Sequence, residues 1–119
     1  ARLVCVDLDA ERGATLADEL RGAGAEARFV RADVADPVDV AGYVEAALAA
    51  YGRIDAFAAN AGIEGAVCAT VDYPLDVFDR VMAVNVRGTF LGLRYVLPVM
   101  QRQRSGAVVV TGSTGSHIA

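Results

Sequence analysis

The sequence predicts an α/β fold, in which helices cover a parallel sheet of strands. The first observation is a set of continuous apolar runs of strand length, a pattern typical of strands buried on both faces. The second is a regular interval, because these runs end at Asp7, Asp33 and Asn60, which are 26 and 27 positions apart. Such an interval is close to the roughly 30 residues of a strand-helix-strand unit. Together they indicate a parallel, doubly wound sheet.

The first half of the chain alternates strands with helices. The predicted elements are a strand over 3–6, a helix capped by Asp9 and stopped by Gly22 and Gly24, a strand over 27–32, a helix with Asp36 as cap and Pro37 in first position that ends at Gly52, and a strand over 54–59. In the first of these helices, Leu16 and Leu20 lie four positions apart. That spacing predicts that both leucines face the sheet.

The second half contains one long helix and a last strand. A loop to about Thr70 leads into the helix, which starts near Asp72 and ends near Arg104, and the strand covers 107–110. Two apolar stripes run along the helix, one through Phe78, Met82, Thr89, Gly92 and Val96 and the other through Val81, Val84, Leu91 and Tyr95. A helix with one covered face needs only one stripe. The second stripe predicts a homo-oligomer, a dimer or tetramer, with a subunit contact around Val81 to Tyr95.

Asn85 lies on the first of these stripes, between Met82 and Thr89. Its position predicts that the side chain points inward among apolar groups, where an amide must be hydrogen-bonded. Two interpretations stay open for it. One is a structural amide that ties down a neighbouring loop, and the other is a catalytic residue.

Composition excludes several classes of function. The 119 residues carry a net charge of −4, which gives no electrostatic reason to expect a nucleic acid or an anionic membrane as partner. No apolar run has the length of a transmembrane helix. A single histidine and two distant cysteines, Cys5 and Cys68, make a metal cluster implausible. Unpaired cysteines are typical of a reducing compartment, so we expect a cytoplasmic location.

The strand ends together predict a nucleotide site, because ligands of open α/β sheets lie outside the carboxyl ends of the strands. A carboxylate at Asp7 can accept both hydroxyls of an adenosine ribose and would repel a phosphate there. Asp33 could accept a hydrogen bond from an adenine amino group, and Val34 offers an apolar contact. Small residues around Asn60, with Ala61 and Gly62 next to it, leave room for a flat group. At the end of the last strand stands the hydroxyl of Ser113.

These segments also match a known family in order and spacing. The matching pieces are Val6-Asp7, Asp33-Val34, Asn60-Ala61-Gly62, Val84-Asn85-Val86, Gly88-Thr89-Phe90 and Val108-Val109-Val110-Thr111-Gly112-Ser113. The chain resembles the short-chain dehydrogenase/reductase family over nearly all of its length. The resemblance implies an oxidoreductase that moves hydride between NAD or NADP and a small alcohol or carbonyl substrate.

The resemblance also implies roles for single residues. Ser113 would hydrogen-bond the substrate oxygen, and Asn85 would hold a water of the proton relay. The segment Asn60-Ala61-Gly62 would line the cofactor near its ribose, and Asp7 would favour NAD. Gly112 and Ser116 depart from the usual family residues, which makes Ser116 a second candidate hydroxyl.

Two parts of the family pattern are missing from the sequence. A glycine-rich turn after the first family strand would precede Ala1, and a tyrosine-to-lysine motif would follow Ala119. All eleven basic residues are arginines, so no lysine is present to lower the pKa of a tyrosine. Residues 1–119 are therefore expected to form a partial NAD(P)-binding Rossmann domain, inactive by itself. It would contain family strands 2 to 5, and the strands ending at Asp7 and Asn60 would lack a shared neighbour.

Two other classes of function remain open. A phosphoacceptor domain would hold magnesium with Asp7, Asp9 and Asp33, but such domains use a lysine at a late strand end. A dinucleotide-sensing module would keep the fold and lack the chemistry. The combination of Ser113 with Asn85 favours the enzyme over the sensing module.

Overall fold

The structure is a computed structural model and describes residues 1–113. The elements in chain order are β1 (Arg2–Asp7), α1 (Ala10–Gly22), β2 (Glu26–Arg31), α2 (Pro37–Tyr51), β3 (Ala56–Ala59), a 3-10 turn (Thr70–Asp72), α3 (Leu75–Val81), a π-helical segment (Met82–Gly88), α4 (Thr89–Gln103) and β4 (Ala107–Val110). The last three helical pieces follow one another without a break and form the predicted long helix. No helix among the described residues is long and apolar enough to cross a bilayer.

Both helix starts predicted from acidic caps are confirmed. The Asp9 carboxylate accepts hydrogen bonds from the backbone N–H groups of Glu11 and Arg12, each at 3.0 Å. The Asp36 carboxylate accepts from the N–H of Val38 at 2.7 Å. These bonds satisfy backbone donors that have no partner within the first helical turn.

The strands form two parallel pairs rather than one continuous sheet. β1 pairs with β2, and β3 pairs with β4. Within the described residues β1 and β3 are not hydrogen-bonded to each other. This agrees with the expectation that the strands ending at Asp7 and Asn60 lack a shared neighbour.

Helices cover the β1–β2 pair on both faces. Successive side chains of a strand point to opposite faces of a sheet. In β2, the ring of Phe29 lies against Gly13 of α1, whereas Val30 packs on the core that α2 and α4 build. Therefore α1 lies on one face and α2 on the other, as a doubly wound sheet requires.

The main core lies between α2, α4 and the strands. Its fully and partly buried members come from both strand pairs, so this core joins them into one unit. The buried residues of the cluster are Ala32, Val40, Tyr43, Val44, Leu91, Val96, Val99 and Met100. Val6 of β1 and Phe57 of β3 pack against it.

The predicted sheet-facing side of α1 is wrong at Leu16. The buried residues of α1 are Gly13 and Ala17, and the Leu16 side chain is 47% exposed. A Cβ on Gly13 would lie 2.0 Å from the Phe29 ring. Since that large ring fills the space under the helix, only small residues fit on the face that meets the sheet.

Candidate functional site

Asp7 ends β1 with an exposed carboxylate. Its Oδ1 accepts a hydrogen bond from the backbone N–H of Asp9 at 2.9 Å. In the parallel register of β1 and β2, Asp7 lies beside Arg31, which is also exposed. The local bond holds the carboxylate at the strand end, where it is open to a ligand with hydroxyl groups.

The turn after β2 contains Asp33 and Val34 and is fixed by three hydrogen bonds. The Asp33 Oδ1 accepts from the N–H of Ala35 at 2.8 Å, and the N–H of Asp33 donates to Asp39 Oδ2 at 2.8 Å. The backbone oxygen of Asp33 accepts from the N–H of Asp36 at 3.0 Å. These bonds fix the backbone conformation of the turn and therefore the position of Val34.

The end of β3 is joined to the end of β4 by side chains. Ala59 and Val110 are register partners, so the next pair is Asn60 and Thr111. The Thr111 hydroxyl donates to Asn60 Oδ1 at 2.8 Å, and the Thr111 N–H donates to the Ala59 oxygen at 3.0 Å. Thr111 was not singled out in the sequence as a partner of Asn60, and only the strand register identifies it.

The remaining predicted residues of these two strand ends lie on the surface. Asn60, Ala61 and Gly62 are exposed, and so is Ser113, three positions beyond the end of β4. The second candidate hydroxyl, Ser116, lies outside the described residues. An exposed position at a strand end is open to a cofactor or a substrate.

The expectation that Asn85 is buried among apolar groups is wrong, because its side chain is exposed. Its Oδ1 accepts from the N–H of Ile63 at 2.9 Å, and its Nδ2 donates to the Ile63 oxygen at 3.0 Å. The physical reason is the π-helical segment that contains Asn85, since its wider turn breaks the 3.6-residue period used to assign the stripe. These two hydrogen bonds form a loop tie: Asn85 is a structural amide that holds a neighbouring loop, which is one of the two interpretations given above.

The π-helical segment contacts both turns of the predicted site. Asn85 holds the loop that follows Gly62, and Gly88 packs against Val34. The Thr89 hydroxyl donates to the Asn85 backbone oxygen at 3.0 Å. One helical segment thus contacts both loops.

None of the four tyrosines is placed as a proton donor at this edge. Tyr43 is buried in the core, and burial raises its pKa to about 12, which is the opposite of what a donor near neutral pH needs. Tyr51 contacts the far, amino-terminal ends of β1 and β2. Tyr73 accepts from the N–H of Ala66 at 3.1 Å, and Tyr95 packs on the core.

The acidic residues do not assemble into a metal site. Within residues 1–113, no group of three or more histidine, cysteine, aspartate or glutamate side chains is arranged to hold a metal ion. The carboxylates of Asp7, Asp9 and Asp33 instead accept hydrogen bonds from nearby backbone N–H groups. The magnesium cluster that a phosphoacceptor domain would need is therefore not present among these residues.

Several of the known proteins similar to this chain are named as dehydrogenases or reductases. Levodione reductase from Leifsonia aquatica is 47% identical over 91 residues, which are 76% of this chain and 34% of that protein. The 2-(R)-hydroxypropyl-CoM dehydrogenase from Xanthobacter autotrophicus is 49% identical over 92 residues, which are 76% of this chain and 37% of that protein. The crystal structure of NAD+-bound xylitol dehydrogenase superposes with a TM-score of 0.94 at 34% identity, over 98% of this chain and 45% of that one.

This chain covers less than half the length of each of those proteins. The sequence profile of the family described as short chain dehydrogenase matches residues 1–119. The parallel strands, the helices on both sheet faces and the superposition agree with that match. The chain thus belongs to the short-chain dehydrogenase family of oxidoreductases, which are built on an NAD(P)-binding Rossmann fold.

Proposed function

We propose that the complete protein transfers hydride between NAD and an alcohol or carbonyl group of a small molecule. The observation that carries the proposal is the set of strand ends whose turns are fixed by hydrogen bonds to the backbone, two of them also contacted by one helical segment. Such prearranged turns lower the ordering cost of binding a ligand. The similarity to named dehydrogenases and reductases supports the same reaction class.

Six of the predicted residues bind the dinucleotide in this proposal. Asp7 accepts the ribose hydroxyls of the adenosine half, and Asp33 and Val34 contact the adenine. Asn60, Ala61 and Gly62 lie along the cofactor nearer its centre. When bound, NAD supplies the nicotinamide ring that accepts or returns the hydride.

Ser113 and Asn85 serve the reacting end in this proposal. The Ser113 hydroxyl donates a hydrogen bond to the substrate oxygen, where negative charge develops as the hydride leaves or arrives. Asn85 keeps the loop after Gly62 in place and holds a water of the proton path. Residues 1–119 contain no lysine, so the proton donor is not expected from a tyrosine–lysine pair of this chain.

The preference for NAD over NADP follows from Asp7. A phosphate on the ribose would meet the carboxylate at about 4 Å, and repulsion at a partly screened site is on the order of a few kcal/mol. The free thiols of Cys5 and Cys68 suit a reducing compartment, which is the basis for a cytoplasmic location.

The test measures binding and turnover separately in the complete protein. NAD affinity is determined by calorimetry, and NADH formation is followed with a panel of secondary alcohols. Binding with turnover of at least one alcohol supports the proposal. Binding without turnover would favour the dinucleotide-sensing module, and failure to bind either NAD or NADP would overturn both.

A further inference from the structure

Gly88, in the π-helical segment, packs against Val34 of the Asp33–Val34 turn. Gly88 is buried, and a Cβ built on it would lie 2.9 Å from Val34 Cγ2 and 3.3 Å from both the Cβ and the backbone oxygen of Val34. Real Cβ atoms essentially never approach other heavy atoms closer than 3.0 Å. Any side chain at position 88 must therefore displace Val34 or the helix.

The turn has little freedom to give way. Its backbone is held by the Asp33–Ala35, Asp33–Asp39 and Asp33–Asp36 hydrogen bonds described above. Val34 is β-branched, so its χ1 angle has few alternatives. Space for a methyl group at position 88 would come from a shift of the whole turn.

The helix is equally constrained on its own side. Three positions before Gly88, the Asn85 amide makes two hydrogen bonds to Ile63, and the Thr89 hydroxyl holds the Asn85 backbone oxygen. If the helix moved away from Val34, it would pull on the loop after Gly62. A side chain at position 88 thus disturbs one turn of the site or the other.

We infer that Gly88 is a positioning residue, whose missing side chain lets Val34 sit where it contacts the adenine end of the dinucleotide. The inference rests on the proposed function, since it needs Val34 to lie at the adenosine half. It adds a determinant of cofactor affinity on the long helix, away from the strand ends. Gly88 itself does not touch the cofactor in this account.

The experiment replaces Gly88 by alanine in the complete protein and measures the Kd of ADP-ribose and of NAD. ADP-ribose contains the adenosine half without nicotinamide, so its Kd reports on the Val34 side without needing turnover. Overpacking of this kind is expected to weaken both ligands by roughly tenfold or more. At saturating NAD, kcat should change by a smaller factor than the KM for NAD.

Gly42→Ala is the matched control, because a Cβ there meets nothing within 4 Å, and its Kd values should equal those of the wild type.

A second substitution tests whether the contact with Val34 is the cause. In a Val34→Ala background the Cγ2 atom at 2.9 Å is gone, so adding Gly88→Ala should weaken ADP-ribose binding by a smaller factor than it does in the wild type. Val34→Ala alone is the reference, because it also removes the proposed contact of Val34 with the adenine. Unchanged Kd values in Gly88→Ala, or an equal loss of affinity in both backgrounds, overturn the inference. If Gly88→Ala does not fold, a double variant that folds and binds ADP-ribose supports the inference, and one that still does not fold overturns it.

The same measurements distinguish a failure of the proposed function from a failure of the role given to Gly88. A wild-type protein that binds neither NAD nor ADP-ribose refutes the nucleotide site, and the role of Gly88 falls with it. A wild-type protein that binds both, with a Gly88→Ala variant that binds them equally well, refutes only the role of Gly88.

Discussion

At the scale of single residues, several polar groups of the site are bound to the protein's own backbone. Asp7 and Asp33 each accept from an N–H two positions ahead, and Asn85 holds both backbone groups of Ile63. Bonds to exposed backbone contribute only about 1 kcal/mol each to stability. Their larger effect is to restrict the turns to the shape that a ligand meets.

The first residue-scale prediction concerns cofactor choice. Asp7→Ala should raise kcat/KM with NADP relative to NAD by at least about tenfold, because it removes a charge that repels a ribose phosphate. In this variant Arg31 remains beside position 7, because the two residues are register partners in β1 and β2. Among the described β1–β2 partners it is then the only positive charge paired with this strand end, and it is opposite in sign to the phosphate. The measurement is the ratio of kcat/KM for the two cofactors in wild type and variant.

Asp9→Asn is the control for that experiment, because asparagine keeps the helix cap and removes a nearby charge. Its cofactor ratio should stay close to that of the wild type. A wild type that prefers NADP, or an Asp7→Ala ratio that does not move, contradicts the role given to Asp7.

The second prediction separates chemistry from stability at Ser113. A hydroxyl directed at a developing alkoxide contributes roughly 10²–10³ in rate, so Ser113→Ala should lower kcat by that factor. NAD affinity and the melting temperature should remain nearly unchanged. Ser116→Ala serves as control and should be mild, and a loss of less than about tenfold at Ser113 would return it to an ordinary turn residue.

The third prediction tests the loop tie. Asn85→Ala removes both bonds to Ile63, so the amides of the loop after Gly62 should exchange hydrogen faster, while the melting temperature falls little because the groups are exposed. Gln103→Ala is a matched control, since its amide makes the same two bonds to Ile54 at the other end of β3. If the amide hydrogens of this loop exchange equally fast in both variants, or no faster in Asn85→Ala than in the wild type, the Asn85–Ile63 bonds are not what orders the loop.

At the scale of elements, the long helix holds β3 at both ends. Gln103 near its end accepts from the N–H of Ile54 at 3.0 Å and donates to the Ile54 oxygen at 2.8 Å. Asn85 does the same for Ile63. A loop tie at Asn85 was one of the two interpretations of the sequence, but neither its partner Ile63 nor the Gln103–Ile54 pair could be predicted, because the partners are 22 and 49 positions apart.

The two predicted stripes of this helix need correction. Gly92 and Val96 of the first stripe are buried, whereas Phe78 and Met82 of the same stripe are 51% and 42% exposed. The π-helical segment lies between these two parts and changes the helical period there. The large exposed apolar residues of the helix are Leu75, Phe78, Met82, Val86, Phe90 and Leu97.

The fourth prediction places a subunit contact on this exposed set. Phe90, which is 58% exposed, lies within the predicted region, and Phe90→Glu should shift the particle to a smaller size in light scattering. Leu91→Glu is the contrast, because Leu91 is 7% exposed and belongs to the core, so it should lower the melting temperature instead. A monomeric wild type, or an unchanged size in Phe90→Glu, would count against the contact.

At the scale of the whole molecule, the split sheet leaves the chain unusually open. Its accessible surface is 8254 Å², whereas a compact monomer of 12.4 kDa would expose roughly 6,100 Å². The radius of gyration is 15.9 Å, against about 13.5 Å for a compact domain of this length. Each strand pair has an open edge, and the hydrophobic cluster of α2 and α4 is what joins the two pairs.

The fifth prediction follows from that openness. Residues 1–119 expressed alone should show fast amide exchange along the open edges of β1 and β3, bind NAD weakly and catalyse no turnover. Unpaired edges and a small core leave little of the roughly 5–15 kcal/mol that stabilises a typical domain. Slow exchange across a cooperative core together with micromolar NAD binding would show that the two strand pairs are sufficient.

The sequence by itself determined the fold class, the boundaries of α1 and α2, and the carboxyl ends of the strands to within one residue. Asp9, Asp36 and Gly52 act on backbone groups within one or two turns, so local pattern was enough to place them. The regular spacing of Asp7, Asp33 and Asn60 was likewise readable, because strand-helix-strand units have a narrow range of lengths.

Only the tertiary structure decided which side chains face which neighbours. Gly13 rather than Leu16 meets the sheet because the Phe29 ring fills the space, and Gly88 is required by the approach of Val34. Asn85 turned outward because a π-helical turn changed the period from which its burial was inferred. Such contacts depend on volume and distance between segments far apart in the chain, which a periodic pattern within one segment does not contain.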